Sequence, residues 1–461
     1  MKDLTQGPVV RQLLGMAGFM MIAMVVQTLY SLIDIYWVGR LGPAAQAAVA
    51  LSANLMMVSM ALSQMLAVGT GALTAQAIGR KDHPAAHLVF NHALGLGLGL
   101  MVLFELVSLA IAVPYSRSVG ADAQTAGFAL DYLRWFLPSM ALQFPMMVMG
   151  SALRGTGNMK PGTVAQVGSV LLNMVLAPLL IFGWLGLPRL GVEGAGLATF
   201  LGVVAATLGL WLYFLRPQTF LRMRPRDWLS GPRDWWKLVR IGLPSAVEIG
   251  LMFLYLVFIL WVLRPFGAAE QAAFGVGQRL LQAGMMPIMA ISFAASAVAG
   301  QNYGARLGQR VRETFGACLK IGLYCTVVLF AVGELLPGPL VGAFSGDPAV
   351  ISGGVEFVRV IGFNLFASTV AFSCFGVLSG LGNTVPTLIS SAIRIVLIIV
   401  PAWLLSAHAG FRPLWVWLLS VAATTVQAGM NLYFLRRELN RKLGPARPPA
   451  AVPAAEAAGP T

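Results

Sequence analysis

Long apolar runs follow one another along almost the whole chain, separated by short polar connections. Each run is about 20 residues or longer, enough for an α-helix to cross a hydrocarbon layer about 30 Å thick. The runs lack the period of two that strands of a membrane β-barrel show. The pattern therefore predicts an all-α integral membrane protein with twelve transmembrane helices. The predicted spans are approximately 12–37, 44–68, 88–113, 128–153, 160–182, 191–215, 238–263, 270–299, 315–337, 355–378, 385–407 and 412–434.

Composition supports a membrane protein and argues against an enzyme. The chain is 58% hydrophobic and 10% charged, whereas soluble domains carry about 25% charged residues. Cys318, Cys325 and Cys374 all lie in predicted spans, which argues against a disulfide framework and against a zinc site. We find no phosphate-binding loop, no HExxH and no plausible Ser/His/Asp constellation, so we expect no cofactor and no enzymatic activity. Any transport must then draw on an ion gradient.

The net charge of +14 reflects topology in our interpretation and not a nucleic-acid partner. Most of the 31 Lys and Arg residues fall in the termini and the even-numbered connections, including seven between Arg216 and Arg240. Cytoplasmic loops carry such an excess of basic residues. We therefore expect a multi-pass protein of the cytoplasmic (inner) membrane with both termini in the cytoplasm. The Pro/Ala-rich C-terminal segment 441–461 is predicted to be a disordered cytoplasmic tail.

The two halves of the sequence repeat with one displacement. A shift of 225 residues, the difference between positions 301 and 76, pairs Gln76 with Gln301 and Gly79 with Gly304. The same shift aligns "RGTGNMKP" at 154–161 with "SGLGNTVP" at 379–386. Because six helices separate equivalent positions, both halves have the same orientation in the membrane. We therefore predict two six-helix lobes related by a pseudo-twofold axis along the membrane normal, with a cleft between them. The predicted boundaries are 1–215 for the N-terminal lobe, 216–240 for a basic cytoplasmic linker and 241–440 for the C-terminal lobe.

One carboxylate interrupts the first apolar run. Asp34 is the single acidic or basic side chain between Leu13 and Val38. Gln27 and Tyr30 precede it by seven and four residues, so the three share one helical face. A charged group at mid-bilayer costs at least ~2.5–3.5 kcal/mol on insertion scales, and burial favours the neutral acid. Such a group can carry a proton from one side of the membrane to the other, although a purely structural hydrogen bond between helices is the alternative.

Several segments together resemble a known transporter family. They are a mid-helix Asp followed by "VGRLG", then "GTGALTAQAIGRKD", "RGTGNMKP", "GVEGAGLAT", "GLPSA" and "GQNYGA". In this order and spacing, from about residue 10 to 440, they resemble the MATE (multidrug and toxic compound extrusion) transporters. The resemblance implies a two-lobed antiporter that expels organic cations and drugs in exchange for H⁺ or Na⁺. Flippases of lipid-linked precursors share the broader superfamily's architecture and stay an alternative.

The resemblance also implies a first-lobe pocket. Gln27, Asp34, Asn173 and Thr199 match its polar positions, but Ala177 stands where family members often have a second acid. One carboxylate, one amide and one hydroxyl would hold Na⁺ only weakly, because affinity for hard cations depends on the charge of the ligands. A proton needs only the one acid. We therefore favour H⁺ as the coupling ion, with a weak Na⁺ site at Asp34, Asn173 and Thr199 as the alternative.

The second lobe lacks the acids that some family members have there. The matching positions are Met252 and Ser368, and Glu248 lies one turn before the first of them as a displaced substitute. Alternatively, Glu248 forms a structural ion pair with Arg279 or Arg394. A flippase would need a basic central cavity for pyrophosphate, for which these two arginines are the candidates.

Two further interpretations stay open from the sequence. Its 22 methionines include clusters at 20–24, 56–60 and 146–149, which suit either a promiscuous binding surface or ordinary filling of a membrane core. A nontransporting membrane receptor or scaffold would be expected to carry a cytoplasmic signalling domain, and none is evident in the sequence.

Overall fold

The computed structural model describes residues 2–119, 122–229, 231–408 and 410–444. In these residues the chain forms fourteen α-helices and three short 3-10 turns, and no strand. The helices are α1 (Val9–Gly39), α2 (Pro43–Gly79), α3 (His83–Val119), α4 (Ala123–Gly155), α5 (Lys160–Phe182), α6 (Val192–Leu215), α7 (Pro232–Leu263), α8 (Ala268–Gly304), α9 (Gly308–Leu335), α10 (Pro337–Gly342), α11 (Pro348–Gly362), α12 (Asn364–Gly380), α13 (Val385–Ser406) and α14 (Pro413–Leu443).

The predicted all-α membrane fold is confirmed, with one span broken. Eleven helices are each long and apolar enough to cross a membrane, and α11 and α12 form a twelfth span with a bend of 47°. The predicted span 355–378 therefore consists of two helices that meet at Phe363. Gly362 and Asn364 flank the break, and both residue types are poor helix formers. The buried Asn364 amide donates to Ser420 Oγ at 3.1 Å, which fixes the start of α12 against α14.

Equivalent helix ends in the two halves have the same backbone geometry. Gly157 follows α4 with φ +75°, and Gly382 follows α12 with φ +73°. Only glycine adopts this left-handed conformation without steric cost. The repeated "GN" of the two aligned segments therefore makes the same turn twice.

Each half forms a lobe of six spans, and helices of one lobe pack against helices of the other. In the first half α4 packs against both α2 and α6, and in the second α12 packs in the same way against α8 and α14. In addition α1 packs against α8, and α7 packs against α2. Each lobe also has apolar packing of its own: Phe90 stacks on Phe214 at 4.6 Å in the first, and Phe274 stacks on Trp417 at 5.7 Å in the second.

The connection between the lobes is partly helical and is fixed to α3. Helix α7 begins at Pro232, inside the predicted linker 216–240. The buried Asn91 side chain accepts from the Arg224 backbone N–H at 2.7 Å and from the Trp228 indole at 3.2 Å, and it donates to the Arg222 carbonyl at 2.9 Å. Three hydrogen bonds from one side chain therefore anchor the basic segment that joins the lobes.

The C-terminal boundary also differs from the sequence prediction. Helix α14 continues to Leu443, so the first residues of the predicted tail 441–461 are helical. Residues 445–461 lie outside the described residues.

The lobes meet closely at one end of the molecule, called the basic end below. Gln76 Nε2 donates to the Gly380 carbonyl at 2.8 Å, and Gln301 Nε2 donates to the Gly155 carbonyl at 2.9 Å. A Cβ atom at Gly79 would collide with the backbone of Gln301. The basic end carries residues 2–7, the α2–α3, α4–α5, α6–α7 and α8–α9 connections and the end of α14.

The N-terminal segment 2–7 ties the two lobes together at the basic end. The Lys2 N–H donates to the Thr156 carbonyl in the first lobe at 3.0 Å. The Leu4 N–H donates to Gln301 Oε1 in the second lobe at 2.9 Å, and Asn302 Nδ2 donates to the Leu4 carbonyl at 3.2 Å. The Leu4 side chain is 0% exposed. The segment therefore holds the lobes in contact with each other.

Candidate functional site: a polar cluster and a central cleft

Three residues singled out from the sequence meet between α1, α5 and α6. Asn173 Nδ2 donates to Thr199 Oγ1 at 3.0 Å, and the Tyr30 hydroxyl lies 3.4 Å from the same oxygen. Thr199 Oγ1 in turn donates to the Ala195 carbonyl one turn back at 3.2 Å. Asn173 and Thr199 are buried. Side chains from three separate helices thus meet at one hydroxyl group, that of Thr199.

Asp34 lies one helical turn beyond Tyr30 on the same face of α1. The side chains of Tyr30 and Tyr132 lie close enough to Asp34 to interact with it electrostatically. No described Lys or Arg side chain forms an ion pair with Asp34. A carboxyl group in apolar surroundings without a basic partner is balanced either by a proton or by a bound cation. Gln27 lies two turns before it on α1.

The fit of this cluster to a metal cation is poor. Ala177 is buried in the apolar core of the first lobe, so the second carboxylate of the family pattern has no substitute at that position. Thr199 already accepts from Asn173 and donates to Ala195. The described residues contain no group of three or more His, Cys, Asp or Glu side chains that could hold a metal ion. Asp34 is therefore the single charged ligand available to Na⁺ in this cluster.

In the second lobe Glu248 belongs to a hydrogen-bonded group on α7, α13 and α14. Ser391 Oγ donates to Glu248 Oε1 at 2.9 Å and accepts from Gln427 Nε2 at 2.9 Å. Arg394 is an electrostatic neighbour of Glu248, and its guanidinium lies over the Tyr255 ring, 5.8 Å from the centroid.

The predicted ion-pair alternative is not what the described residues show. None of the ion pairs among them joins Glu248 to Arg394 or to Arg279. Arg279 is exposed on α8, whereas Arg394 is close to Glu248. The structure thus brings together two of the three second-lobe candidates.

A central cleft lies between the lobes, toward the basic end. Neither Arg279 nor Arg394 lines it, but Arg154 does. Arg154 is not among the residues that the sequence predicts for the site, because the predicted fourth span ends one residue before it. The lining residues are Met20, Ala23, Met24, Gln64, Ala67, Val68, Gly71, Met147, Arg154, Gly155, Gln166, Phe293, Ser296, Ala297 and Ser379.

A smaller cavity adjoins the cleft within the first lobe. It shares Met20, Met147, Arg154 and Gln166 with the cleft. Methionines from two of the three clusters, at 20–24 and 146–149, therefore line a cavity, whereas Met149 of the second of these packs in the core of the first lobe. Their flexible, polarisable side chains suit ligands of varied shape.

Comparison with protein families gives one match that covers both halves. The MatE family model matches residues 20–179 and again 244–404. The two matched ranges begin 224 and end 225 residues apart, which agrees with the displacement found in the sequence.

Curated relatives of this chain are transport proteins. The multidrug export protein MepA of Staphylococcus saprophyticus is 25% identical over 434 residues, which cover 92% of this chain and 94% of the relative. The FAD transporter of Shewanella oneidensis is 26% identical over 446 residues, covering 95% of this chain and 97% of the relative. The similarity therefore extends along nearly the full length of each protein.

Solved structures share the fold at similar identity. A MOP superfamily transporter from Pyrococcus furiosus superposes with a TM-score of 0.88 and 26% identity, covering 95% of this chain and 98% of that one. The outward-facing conformation of a multidrug resistance MATE family transporter gives a TM-score of 0.88, with the same identity and coverage. Together with the two matched ranges of the family model, these likenesses show that the chain belongs to the MatE family and is a MATE family transporter.

Proposed function

We propose that this transporter is a secondary active antiporter that exports organic cations and drugs in exchange for protons, with Asp34 as the proton carrier. The observation that carries the proposal is the position of Asp34 beside the Tyr30–Thr199–Asn173 cluster. It is a carboxylate on a membrane-spanning helix with no ion-pair partner among the described residues. The multidrug export protein among the relatives supports drug efflux as the activity.

The choice of H⁺ over Na⁺ rests on the donor set. Thr199 uses its oxygen within the cluster, and Ala177 contributes no carboxylate, so a sodium ion would have Asp34 as its one charged ligand. A proton needs no further ligands. Sodium coupling at Asp34, Asn173 and Thr199 is the weaker alternative.

The orientation follows from the distribution of basic residues. We assign the basic end to the cytoplasm, because cytoplasmic connections carry the excess of Lys and Arg. The contacts between the lobes at that end then close the cytoplasmic side. In this assignment the structure corresponds to an outward-open state of a cycle of alternating access, and both termini lie in the cytoplasm.

The cycle uses the charge of Asp34. In the outward-open state Asp34 takes up a proton from outside, the first lobe loses its negative charge, and the bound cation is released. Closure of the outer side and opening of the basic end then expose Asp34 to the cytoplasm. Loss of the proton there restores the carboxylate, which favours binding of the next organic cation.

The test is efflux of a fluorescent organic cation from proteoliposomes under a pH gradient, with and without Na⁺. Wild type, Asp34→Asn and the control Glu105→Gln are compared. Glu105 lies in another span of the same lobe, on α3, and is not part of the polar cluster. We expect sodium-independent efflux that Asp34→Asn abolishes and Glu105→Gln leaves largely intact.

Two other outcomes would contradict proton coupling through Asp34. Efflux that survives in Asp34→Asn would move the coupling to Glu248 or elsewhere, and a requirement for Na⁺ would reverse the choice of ion. The lipid-precursor flippase is not favoured by the relatives, which are named as a multidrug export protein and a FAD transporter. It would regain support if no cation moved under any gradient.

A further inference from the structure

Arg154 places a positive charge in the wall of the central cleft. It lies in the last turn of α4 and lines both the cleft and the smaller cavity beside it. Arginine stays charged under all conditions relevant to a protein. The two cavities therefore share a fixed cation.

That charge is not balanced by an acid among the described residues. Arg154 Nη2 donates to Ser151 Oγ at 2.7 Å, and Ser151 donates onward to the Met147 carbonyl. None of the described ion pairs includes Arg154. Asp34 is remote, since it lies ten residues beyond Met24 on α1, which corresponds to about 15 Å along a helix. A cation held against apolar surface needs a counter-charge or water, because an unpaired buried charge is costly.

The repeat indicates that the arginine is not needed to hold the fold. The 225-residue displacement pairs Arg154 with Ser379, which lines the same cleft from the second lobe. Ser379 makes a neutral hydrogen bond with Ser296 at 3.2 Å. The same structural position is thus filled by a small neutral side chain in one lobe and by a guanidinium in the other.

The surroundings of Arg154 suit an oxyanion on an amphipathic molecule. A guanidinium donates two parallel hydrogen bonds to a carboxylate or a phosphate. The Gln166 amide lies in the wall of the same two cavities, and Met20 and Met147 supply apolar, adaptable surface next to it.

We propose that Arg154 is the anion subsite of the central cleft, and that it selects organic substrates bearing a carboxylate or a phosphate in addition to their apolar body. This rests on the proposed export of organic molecules, whose positively charged portion would lie toward Asp34. Zwitterionic amphiphiles match this arrangement best, because Arg154 lines the cleft and Asp34, which lies further along α1 than the cleft-lining Met24, carries the opposite charge.

The experiment uses two probes that differ in one group. Norfloxacin carries a carboxylate and an amine, and its methyl ester keeps the amine alone. Proton-driven transport of both is measured in proteoliposomes for wild type, Arg154→Gln and Arg154→Lys. The matched control is Arg134→Gln, which removes a charge from the same helix at a side chain that is 73% exposed.

We expect Arg154→Gln to impair transport of norfloxacin but not of its methyl ester. Arg154→Gln should raise the KM for norfloxacin by about tenfold or more, the usual effect of losing a charge-assisted hydrogen bond. It should leave the ester within about twofold of wild type, which also shows that the variant is folded. Arg154→Lys keeps the charge but cannot donate two parallel hydrogen bonds, so its KM for norfloxacin should lie between those of wild type and Arg154→Gln. Arg134→Gln should have the KM of wild type.

Equal losses for acid and ester, or no loss for either, would overturn the proposal. The assay is repeated with and without phosphatidylglycerol in phosphatidylcholine vesicles. A difference that depends on the anionic lipid would assign Arg154 to a lipid headgroup and would overturn a substrate subsite.

Failure of the proposed antiport is distinguishable from failure of this subsite. If wild type moves neither probe, the subsite is tested by equilibrium binding to the purified protein, which needs no coupling ion. Binding of norfloxacin is followed by the intrinsic fluorescence of norfloxacin. Weaker binding of norfloxacin in Arg154→Gln, with unchanged binding of the ester, supports the subsite. Equal binding of norfloxacin by wild type and Arg154→Gln overturns it.

Discussion

Gln76 and Gln301 make the same hydrogen bond in opposite directions across the interface between the lobes. The first donates to the Gly380 carbonyl at 2.8 Å and the second to the Gly155 carbonyl at 2.9 Å. Both donors and both acceptors are separated by the same 225 residues. The closed basic end is therefore built from one contact used twice, so changes at equivalent positions in the two lobes should have similar effects.

Alanine at Gly79 or at Gly304 should separate the lobes at the basic end. A Cβ atom at Gly79 would collide with the Gln301 backbone, and one at Gly304 with the Gln76 backbone. Overpacking of this kind typically costs ~1–3 kcal/mol. We expect a longer distance between spin labels at Asp82 and Arg306, measured by pulsed electron paramagnetic resonance in a cysteine-free background.

The control for this pair is Gly99→Ala, since no atom lies within 4 Å of a Cβ atom built there. It should leave the distance unchanged. If Gly79→Ala and Gly304→Ala gave the same distance as Gly99→Ala, the basic end would not depend on these close approaches.

Leu4→Ala should weaken the attachment of the N-terminal segment. Leu4 is 0% exposed and packs in an apolar cluster with residues of α1 and α8, including Leu13 and Ala294. Truncation of a buried leucine typically costs ~2–5 kcal/mol. We expect a broader distribution of the same spin-label distance and a lower melting temperature.

Val10→Ala is the matched change for Leu4→Ala, because the Val10 side chain is 47% exposed. It should have little effect on either measurement. A melting temperature lowered as much by Val10→Ala as by Leu4→Ala would argue against a specific role for the segment.

Thr199→Val should impair coupling, whereas Thr199→Ser should not. Valine has nearly the same shape but cannot accept from the Asn173 amide, which then loses its partner in a buried site. An unsatisfied buried donor costs ~1–3 kcal/mol, so we expect about a tenfold lower kcat/KM for proton-driven efflux. Serine keeps the hydroxyl group and should stay within about twofold of wild type. Equal activity of the two variants would remove Thr199 from the site.

Exchange of one proton for one monovalent cation should be electroneutral. A potassium diffusion potential set with valinomycin, without a pH gradient, should therefore drive no uptake of a monovalent dye. Uptake driven by the potential, and abolished in Glu248→Gln, would instead assign a second titrating site to the group of Glu248, Ser391 and Gln427. The conservative change Glu248→Asp then tests whether the carboxyl group itself is required.

The sequence predicts the twelve spans and the two lobes well, because lipid imposes a minimum apolar length on every crossing and the repeat doubles the signal. It predicts helix ends poorly. Helix α2 continues to Gly79, beyond the apolar run that ended near residue 68, and α4 continues to Gly155. Hydropathy reports which residues face lipid and does not report where backbone hydrogen bonding stops.

Because sequence patterns report apolar length and helical spacing and not tertiary packing, they predict some residues of the site and not others. Tyr30, Asn173 and Thr199 were identified because helical spacing and the family pattern point to polar residues within apolar spans. Arg154 was assigned to a connection, since a basic residue at the end of an apolar run has the pattern of an interfacial residue. Its place in the cleft depends on how the lobes meet, and that tertiary relationship leaves no periodic signal.

The reciprocal glutamine contacts have the form of an isologous interface, in which each of two identical subunits offers the same patch to the other. Joining both copies in one chain releases them from the requirement to stay identical. In a homodimer of identical halves, an arginine at position 154 would face its own copy across the axis, and two like charges would repel each other within the cleft. The fused chain has arginine on one side and Ser379 on the other. A single chain with two unequal lobes thus permits an asymmetric charge at the axis, which a dimer of identical halves would carry only at the expense of its own assembly.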